Sequence, residues 1–404
     1  MKPLLFAPAA YNLAETTRML SIARACQETI SCAFLTYGGA FEHLITEAGF
    51  AVHRLKPELT PEKIEHIYQV DKGEKLGVVF NKEEVAERVH SELALYDQLH
   101  PAAVITGFSL TVPLSARIGS IPLVWVIQST WLAETGMGMI PPGLWPPLES
   151  LARQFICRAA SLYGALTLLN PVNRVAKRYG AAPFPSLFDF WRGDETLVAE
   201  PPGFCGNIQA PPHHHLIGPL IAREDFPIPP EVAGAPHDRP LVYFAMGSSG
   251  TPEIIARLLQ GFAGAPYRVI APVRDHIAGL GVTLPDNVIV TGWLPAHLVN
   301  PMADISVIHG GIGTVMTAAL AGKPVVGIGM QPEQDANLDC LVRQGFAIRI
   351  PKRKASAPRL LAAIDRLLHD EVAQHKAREY ATQVAQWDGP ALAAQFLVQQ
   401  YGEQ

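Results

Sequence analysis

The chain carries a glycine-rich turn, His309-Gly310-Gly311-Ile312-Gly313-Thr314, of a kind that can hold an anion. The apolar run Ile305 to Ile308 predicts a strand before it, and the small residues 315–321 predict a helix after it, which Gly322 ends in a left-handed cap. Glycines at such a junction let backbone N–H groups approach closely, and the helix dipole favours negative charge. The turn therefore predicts a phosphate site, but similar turns are widespread in doubly wound α/β proteins.

Two further motifs give the turn its context. The segment TGWLPA (291–296) precedes it, and QPEQDAN (331–337), predicted to be a polar loop, follows the next strand. This succession resembles the C-terminal donor signature of the inverting UDP-glycosyltransferase superfamily, of the bacterial natural-product type, over Leu284 to Arg349. The resemblance implies an α/β protein of GT-B fold, with two Rossmann-like, doubly wound domains facing across a cleft. It also implies a nucleotide-sugar donor substrate, a UDP-sugar or a dTDP-sugar, with no cofactor and no metal.

The resemblance also implies roles for individual donor residues. Trp293 stacks on the base, the turn that begins at His309 binds the diphosphate, and Glu333 with Gln334 contacts the hydroxyl groups of the sugar. Carboxylate and amide groups suit this last role because each forms directed hydrogen bonds with hydroxyls. The full implied donor set is Gly247, Ser248, Ser249, Trp293, Leu294, His309, Gly310, Gly311, Gly313, Thr314, Thr317, Glu333 and Gln334.

Two positions depart from the family pattern. Ala296 stands where the family has a glutamine that contacts the base, which leaves the choice between uracil and thymine open. Thr317 stands where the family usually has a glutamate that grips the ribose, and a threonine is too short for that contact. We therefore expect ribose binding to be weaker or differently arranged.

Glu15 is the predicted catalytic base. Inverting transfer needs a group that takes a proton from the acceptor, and the family usually has a histidine where this chain places Glu15. A carboxylate recurs at this place in other branches of the superfamily. Alternatively, Asn12-x-x-Glu15 is the spacing of a capping box, which needs no chemistry. The family's helper aspartate is also replaced here, by Gly107.

The acceptor is expected in the N-terminal half of the chain. Between residues 128 and 148 the regular pattern of strands and helices stops, and large apolar side chains take over. Loops with such side chains often form the walls of ligand pockets. The residues predicted to bind an apolar small-molecule acceptor are Trp131, Met137, Met139 and Trp145.

Two other segments could suggest a partner. Residues 151–180 contain five basic residues and no acidic one. They predict either weak peripheral contact with anionic lipid or an ordinary helix pair whose basic face meets solvent. The consecutive histidines 213–215 cannot all point at one ion, so we interpret them as an exposed loop and predict no metal site.

Composition bounds the class of protein. A chain of 404 residues, 49% apolar and 17% charged, predicts two well-packed domains. The net charge of −5, without a basic run interleaved with aromatics, argues against a nucleic-acid partner. The five cysteines are widely spaced and predict buried free thiols in a reducing cytoplasm. With no signal-peptide pattern and no run of ~20 apolar residues, a soluble, cytoplasmic protein is predicted.

Strands alternating with helices predict two parallel sheets, each covered on both faces. We predict an N-terminal acceptor-binding domain (1–222), a proline-rich linker (223–240) and a C-terminal nucleotide-sugar-binding domain (241–386). The resemblance implies that a last helix (387–404) crosses back to the first domain. The alternatives to a glycosyltransferase are a nucleotide-sugar 2-epimerase and a non-catalytic nucleotide-sugar-binding partner protein. The sugar, the acceptor and the oligomeric state stay open.

Overall fold

The computed structural model describes most of the chain. The described residues are 2–71, 74–75, 77–132, 146–206, 211–223, 227–236, 238–246 and 250–402. Two groups of predicted site residues lie outside them: Gly247, Ser248 and Ser249 of the donor set, and Met137, Met139 and Trp145 of the acceptor set.

The N-terminal half forms a seven-stranded sheet in the order β3-β2-β1-β4-β5-β6-β7, in which every pairing is parallel. Most strands are continuous apolar runs, because helices cover both faces of a parallel sheet. The strands are β1 (Leu4–Ala7), β2 (Cys32–Thr36), β3 (Ala51–Arg54), β4 (Ala103–Thr106), β5 (Leu123–Ile127), β6 (Glu195–Val198) and β7 (His214–Leu216).

Helices pack on both faces of this sheet. A 3₁₀ turn (Ser129–Trp131) follows β5, and a π-helical segment (Ala165–Leu169) joins α6 to α7. The helices are α1 (Leu13–Cys26), α2 (His43–Glu47), α3 (Pro61–Asp71), α4 (Lys82–Leu99), α5 (Val112–Gly119), α6 (Pro146–Gly164), α7 (Asn170–Arg178) and α8 (Leu187–Phe190).

The C-terminal half forms a second parallel sheet, of six strands, in the order β10-β9-β8-β11-β12-β13. The strands are β8 (Leu241–Ala245), β9 (Arg268–Ala271), β10 (Val288–Val290), β11 (Ile305–Ile308), β12 (Val325–Gly327) and β13 (Ala347–Arg349). The helices of this half are α9 (Pro230–Ala233), α10 (Pro252–Gln260), α11 (Arg274–Ile277), α12 (Ala296–Val299), α13 (Ile312–Leu320), α14 (Pro332–Gln344), α15 (Ala357–Leu368), α16 (Glu371–Val384) and α17 (Gly389–Tyr401).

The last helix, α17, packs against α1 of the first sheet. Leu397 and Tyr401 share a hydrophobic core with Met19 and Leu20 of α1. Asp388 begins α17 by accepting a hydrogen bond from the backbone N–H of Ala391. The end of the chain therefore stabilises the N-terminal half.

Two predicted loops are regular elements. QPEQDAN does not form a loop, because α14 begins at Pro332, a position where proline fits a helix start. The histidines 213–215 are not simply an exposed loop either. His214 is buried in β7, where it pairs with β6, and His215 Nε2 lies 2.6 Å from Glu195 Oε2. In both cases the polar residues gave no sign of a helix or strand in the sequence, because the residues that these elements contact lie elsewhere in the chain.

The expectation of five free thiols is wrong, because Cys205 and Cys340 form a disulfide. They lie 135 residues apart, so their spacing carried no signal of the pairing. Phe204, beside Cys205, is buried in the core of the C-terminal half, although the sequence boundaries put it in the first domain. Cys26, Cys32 and Cys157 are free.

One described helical stretch, Pro147–Arg178, is long and apolar enough to cross a bilayer by length and composition alone. Helices in the core of a soluble protein also have this length and composition. This stretch nevertheless contains an exposed apolar surface, which bears on the partners of the protein.

Candidate active site

Both sheets place their predicted site residues where the strand order reverses. In the first sheet the chain runs outward from β1 to β3 and then returns to β4 on the other side of β1. In the second it runs from β8 to β10 and returns to β11 beside β8. Ligands of open α/β sheets bind at the carboxyl ends of strands at such points. Glu15 follows β1 and the glycine turn follows β11, so both lie at a reversal.

The glycine turn brings backbone close to other groups. Gly310 has a φ of 95°, and a Cβ there would lie 2.6 Å from the carbonyl oxygen of Gln334. Gly311 precedes the first helical residue of α13, and a Cβ on Gly313 would meet nothing within 4 Å. The helix begins three residues earlier than expected, at Ile312. Its first N–H groups therefore lie within the glycine turn, as an anion site requires.

His309 is buried at the start of this turn. Its Nδ1 lies 3.3 Å from the carbonyl oxygen of Ala245, and because a carbonyl only accepts, Nδ1 carries the hydrogen. Burial lowers the pKa of His309 to about 4. The ring is therefore neutral at pH 7, and its Nε2 lies beside Gly311, where a Cβ would come within 2.6 Å. In this state Nε2 is an acceptor, and it becomes a donor only on protonation.

Residues in the first turns of α14 form hydrogen bonds both with the glycine turn and with the N-terminal domain. Asn337 Nδ2 donates to the carbonyl oxygen of Gly310 (3.0 Å) and to Glu333 Oε1 (2.8 Å). Glu333 Oε1 also accepts a hydrogen bond from Gln128 Nε2, at 2.7 Å. Gln128 directly follows β5, so this contact crosses the cleft. Sequence reasoning missed Gln128, although a polar residue just after a buried strand was an available signal.

The remaining donor residues differ in their exposure. The Trp293 side chain is 45% exposed, so Trp293 is not a core tryptophan, whereas Leu294 is buried. Thr314 is half-buried in the first turn of α13. Thr317 is buried, and its hydroxyl donates to the carbonyl oxygen of Gly313 at 2.7 Å. Gln334 is also buried and accepts a hydrogen bond from the backbone N–H of Met330 at 2.9 Å.

Glu15 is a buried carboxylate with an unused oxygen. Its Oε1 is sealed and has no hydrogen-bond partner among the described residues. A Cβ on Gly107 would lie 2.1 Å from Oε1, so a larger residue at position 107 would displace this carboxylate. Burial raises the pKa of the Glu15 carboxyl, and the Arg18 guanidinium, 3.8 Å away, offsets this in part.

The capping interpretation accounts for only half of this geometry. Asn12 Oδ1 accepts a hydrogen bond from the backbone N–H of Glu15, at 3.2 Å. The reciprocal contact of a capping box is not formed, because the Asn12 N–H donates to the carbonyl oxygen of Ala9. Asn12 therefore caps α1, and the Glu15 side chain takes no part in the cap.

Aromatic residues lie beside Glu15 on the acceptor side. Trp131 is half-buried and forms edge-on contacts with Trp191, at 4.7 Å between ring centroids, and with Phe108, at 5.9 Å. Phe108 follows Gly107, the residue that packs on Glu15. An apolar surface therefore begins at the residue next to the one that packs on the candidate base.

Comparisons with known proteins extend these observations. The family model for the C-terminal domain of erythromycin biosynthesis protein CIII-like proteins matches residues 258–399. The PGL/p-HBAD biosynthesis glycosyltransferase of Mycobacterium tuberculosis is 24% identical over 401 residues, which cover 96% of this chain and 89% of the relative. Spinosyn forosaminyltransferase superposes with a TM-score of 0.73, at 15% identity and 98% coverage of both chains. The glycosyltransferase VinC, solved with dTDP, gives 0.70 at 18% identity, covering 100% of both chains.

Proposed function

We propose that the chain is a glycosyltransferase of the GT-B superfamily of bacterial natural-product enzymes, with an inverting mechanism and a UDP-sugar or dTDP-sugar donor. The sugar passes to a hydroxyl group of an apolar small molecule. The C-terminal domain binds the donor and the N-terminal domain binds the acceptor. The observation that carries this proposal is the buried carboxylate of Glu15 at the strand reversal of the N-terminal sheet, whose Oε1 has no hydrogen-bond partner among the described residues.

Glu15 accepts the proton of the acceptor hydroxyl. The acceptor oxygen then forms a bond to the anomeric carbon as the bond from that carbon to the diphosphate oxygen breaks. The nucleoside diphosphate leaves with the electron pair, and the configuration at the anomeric carbon inverts. The raised pKa of Glu15 supports this role, because a more basic carboxylate is a better general base near neutral pH.

The glycine turn stabilises the charge that develops on the leaving group. The N–H groups at the start of α13 suit a diphosphate, and His309 Nε2 adds a hydrogen bond once it is protonated. The exposed indole of Trp293 offers a flat face for the base of the nucleotide. Glu333, held by Gln128 and Asn337, is positioned to accept hydrogen bonds from sugar hydroxyls.

Neither alternative is favoured. A 2-epimerase would need several titratable groups around the donor sugar. In the described part of the glycine turn and α14, only His309 and Glu333 of the predicted donor set titrate. A buried carboxylate oxygen without a hydrogen-bond partner costs stability, and a non-catalytic partner protein would have no use for it. The full-length similarity to glycosyltransferases also favours an enzyme.

The proposal is tested by incubating the protein with a panel of UDP- and dTDP-sugars and a phenolic acceptor. Release of UDP or dTDP that depends on the acceptor, together with a glycoside of inverted configuration, is the expected result. A product sugar epimerised at C2 without transfer would indicate the epimerase. Tight donor binding without any turnover would indicate the non-catalytic protein.

The helical segment 151–180 supports a peripheral membrane contact. Five large apolar side chains on its helices, spaced as one helix face, are 50% to 73% exposed: Leu148, Leu151, Phe155, Leu162 and Leu166. We call this set the α6 stripe. Basic residues of the same segment, with the exposed Arg158 on α6, would favour an anionic lipid surface, whereas Arg153 is paired with Glu149.

We also propose that the protein acts in the cytoplasm. Disulfides are rare in that compartment, so the Cys205–Cys340 bond makes the location testable. Rapid acid quenching of cells followed by thiol alkylation should find both cysteines reduced in a cytoplasmic protein. A bond that is formed at the moment of quenching would point to an oxidising compartment.

A further inference from the structure

Residues 128–131, here called the β5 turn, carry a side chain that reaches the other domain. Gln128 is the first residue after β5 and is only 6% exposed. Its Nε2 donates a hydrogen bond to Glu333 Oε1, at 2.7 Å. Gln128 therefore belongs to the acceptor-binding half of the chain, but its amide ends at a residue of the donor set.

Two donors orient Glu333 at this oxygen. Asn337 Nδ2 donates to Glu333 Oε1 at 2.8 Å and also to the carbonyl oxygen of Gly310 at 3.0 Å. A carboxylate can accept about four hydrogen bonds, so these two orient the group without using its full capacity. Asn337 is fully buried and keeps its contact with Gly310 whether or not Gln128 is present. Loss of the Gln128 amide would therefore disturb Glu333 more than the glycine turn.

A buried carboxylate holds the backbone next to Gln128. Glu200 lies two residues after β6, is 2% exposed, and its Oε2 accepts a hydrogen bond from the backbone N–H of Ser129 at 3.0 Å. The backbone of Glu200 is fixed as well, because its carbonyl oxygen accepts from the Gly218 N–H at 3.2 Å. Hydrogen bonds to an ionised carboxylate are roughly twice as strong as neutral ones. Glu200 thus fixes the β5 turn one residue from Gln128.

The β5 turn lies between the two substrate regions. It packs on α14, the helix that carries Glu333. It ends at Trp131, one of the residues predicted to bind the acceptor. The position of this turn therefore affects the donor side as well as the acceptor side of the cleft.

Glu200 can change its charge near neutral pH. Burial raises the pKa of Glu200 to about 7, although the hydrogen bonds from Ser129 lower it in part. Tyr380 of α16 faces Glu200, and burial together with the charge of Glu200 raises the pKa of Tyr380. Tyr380 is therefore neutral at pH 7, and Glu200 is the member of this pair that titrates.

We propose that the N-terminal domain takes part in recognising the donor sugar: Gln128 positions the Glu333 carboxylate for the sugar hydroxyls, and Glu200 positions Gln128 through the β5 turn. This inference rests on the proposed function, because it concerns the sugar site of the same enzyme. Gln128 and Glu200 are positioning residues, since they act on the sugar through Glu333. The nucleotide part of the donor, at the glycine turn and Trp293, does not depend on them.

The test compares nucleotides with and without a sugar. UDP, dTDP and the panel of UDP- and dTDP-sugars are titrated calorimetrically into the full-length wild type and into Gln128→Met, which keeps the length of the side chain but has no donor. The affinity for the nucleotide-sugar that the wild type binds most tightly should fall at least about tenfold, the value of a hydrogen bond to a charged group. The affinity for UDP and dTDP should change by less than about twofold.

A double-variant comparison shows whether Gln128 acts through Glu333. Glu333→Ala should weaken binding of the same nucleotide-sugar at least as much as Gln128→Met does. Gln128→Met combined with Glu333→Ala should lose no more than Glu333→Ala alone, because residues that act as a unit give non-additive effects. Additive losses would mean that Gln128 contacts the sugar directly, and would overturn its positioning role.

Gln344→Ala is the matched control. Gln344 is the last residue of α14, and its Nε2 also joins this helix to an earlier segment of the chain, by donating to the carbonyl oxygens of Gly203 (3.1 Å) and Phe204 (3.2 Å). This variant removes a similar contact at the opposite end of the same helix. It should bind the nucleotides and the nucleotide-sugars as the wild type does.

The role of Glu200 is tested by Glu200→Gln across pH. The amide keeps the shape of the side chain but stays neutral, so it should bind the nucleotide-sugar more weakly than the wild type at about pH 8. Near pH 6 Glu200 of the wild type is itself protonated, and the ratio of the two affinities should be at least about threefold smaller than at pH 8. His309 is present in both proteins, so its titration cancels in this ratio. A ratio that does not change with pH would overturn the role of Glu200.

The remaining outcomes separate this inference from the proposed function. A wild type that binds no nucleotide and no nucleotide-sugar would overturn both. Equal losses for UDP and its sugar conjugates in Gln128→Met, or no loss at all, would overturn the inference and leave the proposed function intact. If Gln128→Met does not fold, Gln128→Glu replaces it, because a carboxylate beside Glu333 would repel it and should give the same selective loss.

Discussion

At the scale of single residues, the candidate site depends on two buried titratable groups with opposite shifts. Burial raises the pKa of Glu15 and lowers that of His309 to about 4. In both cases the low-polarity surroundings disfavour the charged form. Glu15 is therefore a stronger base, and the ring of His309 is neutral in the free protein. The raised pKa of Glu15 suits proton removal, whereas the lowered pKa of His309 means that its Nε2 can donate to an anion only after it takes up a proton.

Glu15→Gln should lower kcat by roughly 10² to 10⁴, because the amide cannot take up the acceptor proton. The melting temperature should change little, since the cap of α1 is supplied by Asn12. Wild-type kcat/KM should rise with pH along a limb whose midpoint lies above 4.5, the ordinary carboxyl value, because burial raises the pKa of Glu15. Stopped assays across pH on both proteins check this.

A different outcome would contradict the role of Glu15 as the base. If Glu15→Gln turned over normally and Glu15→Ala lowered the free energy of unfolding by about 1 kcal/mol, Glu15 would have only a helix-capping role. The base would then lie elsewhere in the cleft.

His309→Ala should weaken dTDP or UDP binding at least about tenfold, the value of a hydrogen bond to a charged group. Calorimetric titration measures this, and unchanged affinity would remove His309 from the donor site.

The same histidine predicts a pH dependence. His309 has a pKa of about 4 in the free protein, so nucleotide binding that uses Nε2 as a donor must raise its pKa and take up a proton. Titrations of the wild type in two buffers of different ionisation enthalpy should show more proton uptake than His309→Ala. The same pKa also affects the stability of the free protein. Between about pH 4 and 6.5 this histidine binds more protons in the unfolded chain than in the folded one, so the free energy of unfolding increases as the pH rises through this range. Equal uptake by the two proteins would mean that the neutral ring binds the diphosphate.

At the scale of elements, α6 differs from the other helices in its surface. Most helices bury their apolar side chains against a sheet, whereas the α6 stripe leaves five of them in solvent. Contiguous apolar surface on a soluble protein usually marks an interaction site. Its basic neighbours favour an anionic membrane surface over a neutral one.

Replacing Phe155 and Leu162 together by glutamate should reduce binding to vesicles containing phosphatidylglycerol at least about tenfold, since each buried side chain contributes about 1.5–3 kcal/mol. Co-sedimentation with phosphatidylglycerol and with phosphatidylcholine vesicles provides the measurement. Val372→Glu is the control, because Val372 is equally exposed on α16 but far from the stripe in sequence.

Equal vesicle binding by the double variant and the wild type would contradict this assignment. A dimer that is lost in the double variant on size-exclusion chromatography would instead make the α6 stripe an interface between two copies of the chain.

At the scale of the whole molecule, contacts between described residues connect the two halves of the chain. The helix α17 packs on α1, Gln128 donates to Glu333 across the cleft, and the Cys205–Cys340 bond attaches residues 204–205 to α14. Because α14 also holds Glu333 and Asn337, the disulfide supports an element of the donor site. Domain geometry and donor binding are therefore expected to be coupled.

Cys340→Ser should lower the denaturant midpoint of unfolding by an amount equivalent to about 2–4 kcal/mol, because the bond closes a long loop. Urea unfolding without reductant makes the comparison, with Cys157→Ser as the control for losing a free thiol. Wild type in dithiothreitol should match Cys340→Ser. Identical midpoints for all of these samples would show that the bond does not form in solution.

The sequence alone determined the features that depend on neighbouring residues. The strand, glycine turn and helix at 305–320, the buried strands of both sheets and the donor signature were readable because backbone geometry and apolar periodicity are local properties. The bounds of β11 agree with the expectation residue by residue. The GT-B architecture followed from the resemblance carried by those same motifs.

Only the tertiary structure decided which side chains meet and which are withdrawn from water. It paired Cys205 with Cys340 and separated the Glu15 carboxylate from the cap of α1. It also turned a polar string into the start of α14 and linked it to Gln128, some 200 residues earlier. Burial and the pairing of charges depend on contacts between residues distant in the chain, and no local pattern carries that information.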